Sequence, residues 1–212
     1  MITFTLILIL GVFLVIVLMQ LARKPAAKPV ASAPPPVDVA NLKITDARPG
    51  DVVSIAGAGD EMNDLDLSVD RAVRVQAGTR QWIELSGPYR ERRAILRAAA
   101  GEEGIQAALH SDPRPITLED LGLSEDDLAQ IDERQNTADN FESGDKTWMY
   151  HLSREARATG DGQPPAGYYY WEFHEQGGPG LLAIRKAEGE PFAVTVYKSI
   201  PPGDITVYRG RP

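Results

Sequence analysis

The first 22 residues, Met1 to Ala22, carry no charged side chain, and from Leu6 to Leu18 they are Leu, Ile, Val and Phe apart from one Gly11. Such a run makes a helix of roughly 33 Å at about 1.5 Å per residue, enough for a hydrocarbon core of about 30 Å. A cleaved signal peptide needs a cationic start and a small-residue cleavage site close behind the apolar stretch. Here no Lys or Arg precedes the run, and Ala31-Ser32-Ala33 lies beyond Arg23, Lys24 and two prolines. The segment therefore predicts an uncleaved, single-pass transmembrane helix over 1–22. Arg23, Lys24 and Lys28 all lie behind it, which predicts a cytoplasmic domain on an inner-membrane anchor. The lone Gly11 offers no small-residue pair for helix dimerisation.

Residues 23–40 are rich in Pro and Ala, and Pro34 to Pro36 favour an extended polyproline II spacer that holds the domain away from the bilayer. All 30 acids lie beyond Val37 with 19 of the 22 bases, so residues 41–212 are a strongly acidic domain. That charge excludes a sequence-independent nucleic-acid binder, which needs a cationic face for the phosphates. The absence of cysteine excludes disulfides, thiolate chemistry and cysteine-ligated zinc or iron–sulfur centres.

From residue 50 on, apolar segments of roughly 5–8 residues alternate with Gly, Pro, Asn and Asp clusters, the pattern of an antiparallel β protein. Strands are predicted at Val52 to Ile55, Leu67 to Val75, Trp82 to Leu85 (ended by Gly87-Pro88) and Lys146 to Ala158, where Trp148, Tyr150 and Leu152 alternate inward. Four more follow at Tyr168 to His174, Leu181 to Lys186, Phe192 to Tyr197 and Ile205 to Tyr208, joined by tight turns into a meander. Residues 90–109 fit a hairpin or a broken helix, and Gly101 and Gly104 favour the hairpin. Helix is predicted near 117–134, where Ser124 heads an acidic first turn with Leu128 and Ile131 on one face. Gln135 to Asp145 is expected to be a loop. The fold class is mainly β (α+β): a transmembrane helix, then an antiparallel β-barrel or sandwich with a short helical insertion.

No nucleophile elbow, phosphate loop or dinucleotide fingerprint occurs, so the sequence assigns no catalytic residue and no cofactor. The densest aromatic stretch is Tyr168 to Phe173. In a strand Tyr169, Trp171 and Phe173 face one way, most simply the core, while Tyr168, Tyr170, Glu172 and His174 face the other, either for cross-strand stacking or as a ligand or partner face. Glu125, Asp126 and Asp127, with neighbouring acids from Glu119 to Glu133, form either a solvated face or a docking surface for a basic protein. His110, His151 and His174 show no metal-ligand spacing. Pairing of 148–152 with 168–174 would bring His151 and His174 together beside Glu172, but ordinary surface histidines are the default, and no metal is assigned. Arg90, Arg92, Arg93 and Arg97 form a basic cluster that suits an anionic group or balanced surface charge.

The pieces Gly50-Asp51-Val52, Trp82-Ile83-Glu84, Leu118 to Leu123, Tyr169 to Phe173 and Ile200 to Arg209 give the chain a resemblance over about residues 42–209. It resembles uncharacterised bacterial β-rich domains of membrane-associated gene neighbourhoods, some linked to membrane stress. The resemblance implies a fold and a setting, with no activity to carry over. The function expected is thus a non-enzymatic, membrane-anchored binding or scaffold module that recruits a protein partner. The alternative is a sensor of a small cationic ligand such as a polyamine, its charge held over Tyr or Trp faces near carboxylates. A deep pocket holding Tyr168, Tyr170 and Glu172 would favour the sensor, and a flat exposed patch the docking module.

Overall fold

The computed structural model describes residues 42–101, 104–112, 114–160, 162 and 164–210. The expected anchor over 1–22 and tether over 23–40 lie outside the described residues, and among those that are described no helix is long and apolar enough to cross a membrane. Twelve strands and one α-helix follow in order: β1 Val52–Ile55, β2 Leu65–Ser68, β3 Arg71–Ala77, β4 Arg80–Tyr89, β5 Arg92–Gly101, β6 Gly104–His110, α1 Glu125–Arg134, β7 Asn140–Ser143, β8 Lys146–Gly160, β9 Ala166–Glu175, β10 Gly180–Lys186, β11 Ala193–Ile200 and β12 Ile205–Tyr208.

Antiparallel pairing runs β3-β4-β5-β6-β11-β10-β9-β8, and β3 pairs back with β8, closing an eight-stranded barrel. Closure removes the sheet edges that would otherwise template association. The 15-residue β8 serves two neighbours: Ala156 to Gly160 pair with β3, while Lys146 to Met149 pair with the short β7. A second sheet, β12-β1-β2, packs outside the barrel, burying Val53, Ile55, Leu65 and Leu67 against Ile83, Leu85 and Leu96. Each such buried side chain contributes about 1.5–3 kcal/mol. The opposite outer face, from Trp148, Tyr150, Trp171 and Phe173, is covered by Leu128 and Ile131 of α1.

Several expected strands have different ends. Leu67 to Val75 is two strands, because Asp70 bonds to Ser86 and Val69 to Gly50 and Asp51, so the chain changes sheets there. The strand at Trp82 does not stop at Gly87-Pro88 but runs to Tyr89. Gly87 is needed because a Cβ there would lie 1.9 Å from the carbonyl oxygen of Ser68, backbone that cannot turn away. Gly87→Ala is therefore expected to cost at least about 1–3 kcal/mol of stability, as overpacking does, with no loss at Gly203→Ala, whose Cβ meets open space. Urea unfolding of both variants checks this. Residues 90–109 are a hairpin, β5 and β6. The expected loop Gln135 to Asp145 contains β7.

Trp148, Tyr150 and Leu152 do not share one face. A bulge at His151 inserts an extra residue, so Tyr150 opposes Phe173 while Leu152 opposes Glu172. Trp148 and Tyr150 stay outside under α1, and Leu152 turns into the barrel.

Candidate functional site

The inner face of the barrel holds small apolar residues (Ala77, Ala108, Ala156, Ala183) together with Trp82, Tyr170 and Tyr197, and among them a buried charge network. Arg97 of β5 reaches across to Glu172 of β9 (Nη2 to Oε2, 2.6 Å) and donates to the Tyr170 hydroxyl at 2.6 Å. Tyr170 in turn donates to the same carboxylate oxygen at 2.7 Å. Arg97 also lies 4.3 Å over the Trp82 ring. One strand along on each side, Arg185 of β10 crosses to Glu84 of β4, which also accepts from Trp82 Nε1 at 2.7 Å. Glu84 and Arg97 are cross-strand partners, so two ion pairs span the interior side by side.

Burial is the largest influence on Glu172 and opposes its charge. Hydrogen bonds from His174, Tyr170 and Arg97, with the Arg97 charge, outweigh it and hold the carboxyl well below the usual carboxylate range. Burial pushes the Tyr168 hydroxyl up to about 12 and that of Tyr170 well above its ordinary value.

At one mouth of the barrel this network meets a cavity of about 1020 Å³, lined among others by Arg80, Trp82, Arg97, Glu172 and His174. The other Glu172 oxygen, Oε1, points here. It lies 3.0 Å from His174 Nε2, 3.9 Å from His151 Nε2 and 3.4 Å from Arg80 Nη1. The two imidazoles stack with centroids 4.3 Å apart, and Arg80 Nη1 also contacts His151 Nε2. His151, Glu172 and His174 each offer one ligand atom within 4.8 Å of the others. Burial, followed by the neighbouring His174, pushes the His151 imidazole below its ordinary value, so that at neutral pH it carries a lone pair.

The face Tyr168, Tyr170, Glu172, His174 exists as a face, but it looks into the barrel and its mouth. Tyr170 is 0% and Glu172 1% exposed, so they make no outer docking patch. Glu125, Asp126 and Asp127 lie elsewhere, exposed in the first turn of α1 on the outside of the barrel. Asp127 is committed to the helix cap, accepting from the Ser124 backbone at 2.8 Å and the Ser124 hydroxyl at 2.6 Å. Of the basic cluster only Arg97 points inward. Arg90 and Arg92 pair with Asp60, and Arg93 with Asp70, nearer the surface. The roles of Trp82, Glu84, Arg80 and Arg185 escaped the sequence reading. The available signal was a charge set between apolar neighbours, as in Ile83-Glu84-Leu85, which marks a strand buried on both faces.

Comparison of the chain with protein families, with curated proteins and with solved structures finds no match.

Proposed function

We propose that the protein is a non-enzymatic, membrane-anchored binding module that senses a small molecule taken into the mouth of its barrel. The observation that supports this reading is the cavity of about 1020 Å³ whose floor is the Trp82–Arg97–Glu172 network. That volume suits a small organic ligand. The charges of the floor are closed on one another, and Arg80 on the rim, with a 40% exposed side chain that also touches Glu172 and His151, presents a cation to solvent. An organic ligand with an anionic or strongly polar end and a flat apolar body fits this lining better than a polyamine. The Glu172 and Glu175 carboxylates already accept from Arg97 and Lys146.

In this reading the span Met1 to Ala22 holds the barrel at the cytoplasmic face of a bacterial inner membrane, in a membrane-stress setting, and a basic protein partner meets exposed Glu125 and Asp126. Anilinonaphthalene sulfonate, a flat aromatic anion, is a suitable probe for the full-length protein in mild detergent. Saturable fluorescence enhancement over protein-free micelles is expected, and Ala99→Trp, which adds bulk to the mouth lining, is expected to weaken it by about tenfold, or about 1.4 kcal/mol. Unsaturable enhancement, or equal binding by Ala99→Trp, would overturn the reading.

A further inference from the structure

We infer that His151, Glu172 and His174 form a binding site for a divalent first-row transition ion of zinc's class, and that Arg80 is the side chain the ion displaces. The inference does not depend on the organic ligand, since protein side chains alone would hold the ion.

Geometry comes first. Two ligand atoms each about 2.1 Å from a shared tetrahedral ion are about 3.4 Å apart. The separations of Glu172 Oε1 from His174 Nε2 (3.0 Å) and from His151 Nε2 (3.9 Å) straddle that value. The two imidazoles now stack, so both rings must turn about their side-chain torsions to aim their in-plane lone pairs at one ion, and both side chains are exposed enough to do so (38% and 47%).

The chemistry of the set agrees. Two imidazoles and one carboxylate, with no thiolate, suit zinc, iron(II), cobalt, nickel or copper rather than calcium or magnesium, which want oxygen. Three protein ligands leave a fourth position open toward the cavity. The carboxylate is oriented from behind: Oε2 accepts from Arg97 and Tyr170, which fixes Oε1 toward the histidines. Alternation along β8 puts His151 on the same face as Met149, which opposes His174, so both histidines look to the barrel mouth.

Arg80 supplies a further observation. Its Nη1 contacts both His151 Nε2 and Glu172 Oε1, so the acceptor atoms of the site already converge on a cation. Arg80 begins β4, just after the hairpin turn, and its side chain is 40% exposed, so it can swing into solvent. The guanidinium thus competes with the ion, which makes a distinctive prediction. Removing a metal ligand must weaken binding, whereas removing Arg80 must strengthen it.

The test uses the full chain, without a histidine tag, titrated with Co²⁺ alone and followed by its visible ligand-field absorption, with Zn²⁺ as competitor. Wild type is expected to give the intense bands of low-coordinate cobalt, abolished by Zn²⁺. His151→Gln and His174→Gln are expected to lose about 100-fold or more in affinity. Arg80→Ala should gain about tenfold. His110→Gln should bind as wild type, since His110 lies apart, bonded to the Val196 carbonyl. The two half-exposed histidines are preferred to Glu172 as targets because Glu172 also neutralises Arg97, and circular dichroism confirms that each variant is folded. Absence of the bands, binding unchanged in His151→Gln or His174→Gln, or weaker binding by Arg80→Ala would each overturn the inference. None of these results bears on whether the cavity takes the aromatic anion.

Discussion

Replacing Arg97 by Met is expected to destabilise the barrel by about 3–5 kcal/mol, because it leaves the Glu172 carboxylate buried without its main counter-charge. Against a total stability of about 5–15 kcal/mol that is enough to bring the chain near unfolding. The reason is asymmetric. A buried ion pair offsets its own desolvation only while both members are present, so the pair as a whole stabilises little, and half of it costs heavily. Arg97→Met/Glu172→Leu should therefore recover most of the loss. What remains is the Tyr170 hydroxyl, which loses both its donor and its acceptor and costs about 1–3 kcal/mol. Adding Tyr170→Phe should remove that residue of instability. A surface control sets the scale: Arg93 and Asp70 are also paired, but their side chains are 50% and 47% exposed, and Arg93→Met is expected to cost less than about 1 kcal/mol. Urea unfolding of the full chain in mild detergent, followed by tryptophan fluorescence, measures all of these. If Arg97→Met unfolds with the wild-type midpoint, or the double variant is less stable than the single, the ion pair does not span the interior.

How much of this was readable in the chain depends on the range of the interaction. The α1 start was legible because its signal is local: Ser124 and Asp127 close a capping box three residues apart. The two faces of β9 were legible for the same reason, since the period of two in Tyr168 to His174 is intrinsic to a strand. What each face meets was not. Tyr170 and Glu172 look inward because β3 pairs with β8 some 80 residues away, and the chain around Val73 or Ala158 carries no mark of that closure. The neutral period also breaks at His151. One inserted residue moves Leu152 to the inner face, a bulge the sequence does not announce, whereas His151 reaches the His174 face by ordinary alternation, as pairing of 148–152 with 168–174 implies. Arg97 was hidden by its company. Three neighbouring arginines are surface side chains, and only the apolar Leu96 and Ala98 on either side of it, both buried on the outer face, distinguish the one that points inside.

The same buried interior predicts alkaline lability. Tyr170 and Tyr197 are 0% and 1% exposed, and burial first, then Glu172 beside Tyr170 and Glu84 beside Tyr197, raise both hydroxyls above their ordinary value. In the unfolded chain they ionise near 10, so above that pH the unfolded state binds fewer protons than the folded one and stability falls as pH rises. The contribution is intact below pH 10. At pH 11 each tyrosine removes about 1.4 kcal/mol, or about 3 kcal/mol for the two. Tyr197→Phe separates this from general alkaline damage. Its hydroxyl is buried and has no protein partner, so removing it at pH 7 should be near neutral or mildly stabilising. Tyr170→Phe at pH 7 should cost about 1–3 kcal/mol, because that hydroxyl joins Arg97 to Glu172. Between pH 7 and 11 the Tyr197→Phe protein should lose about 1.4 kcal/mol less than wild type, since one of the linked protons is gone. Equal losses in the two proteins would mean that Tyr197 ionises as readily folded as unfolded, which a side chain sealed inside the barrel cannot do.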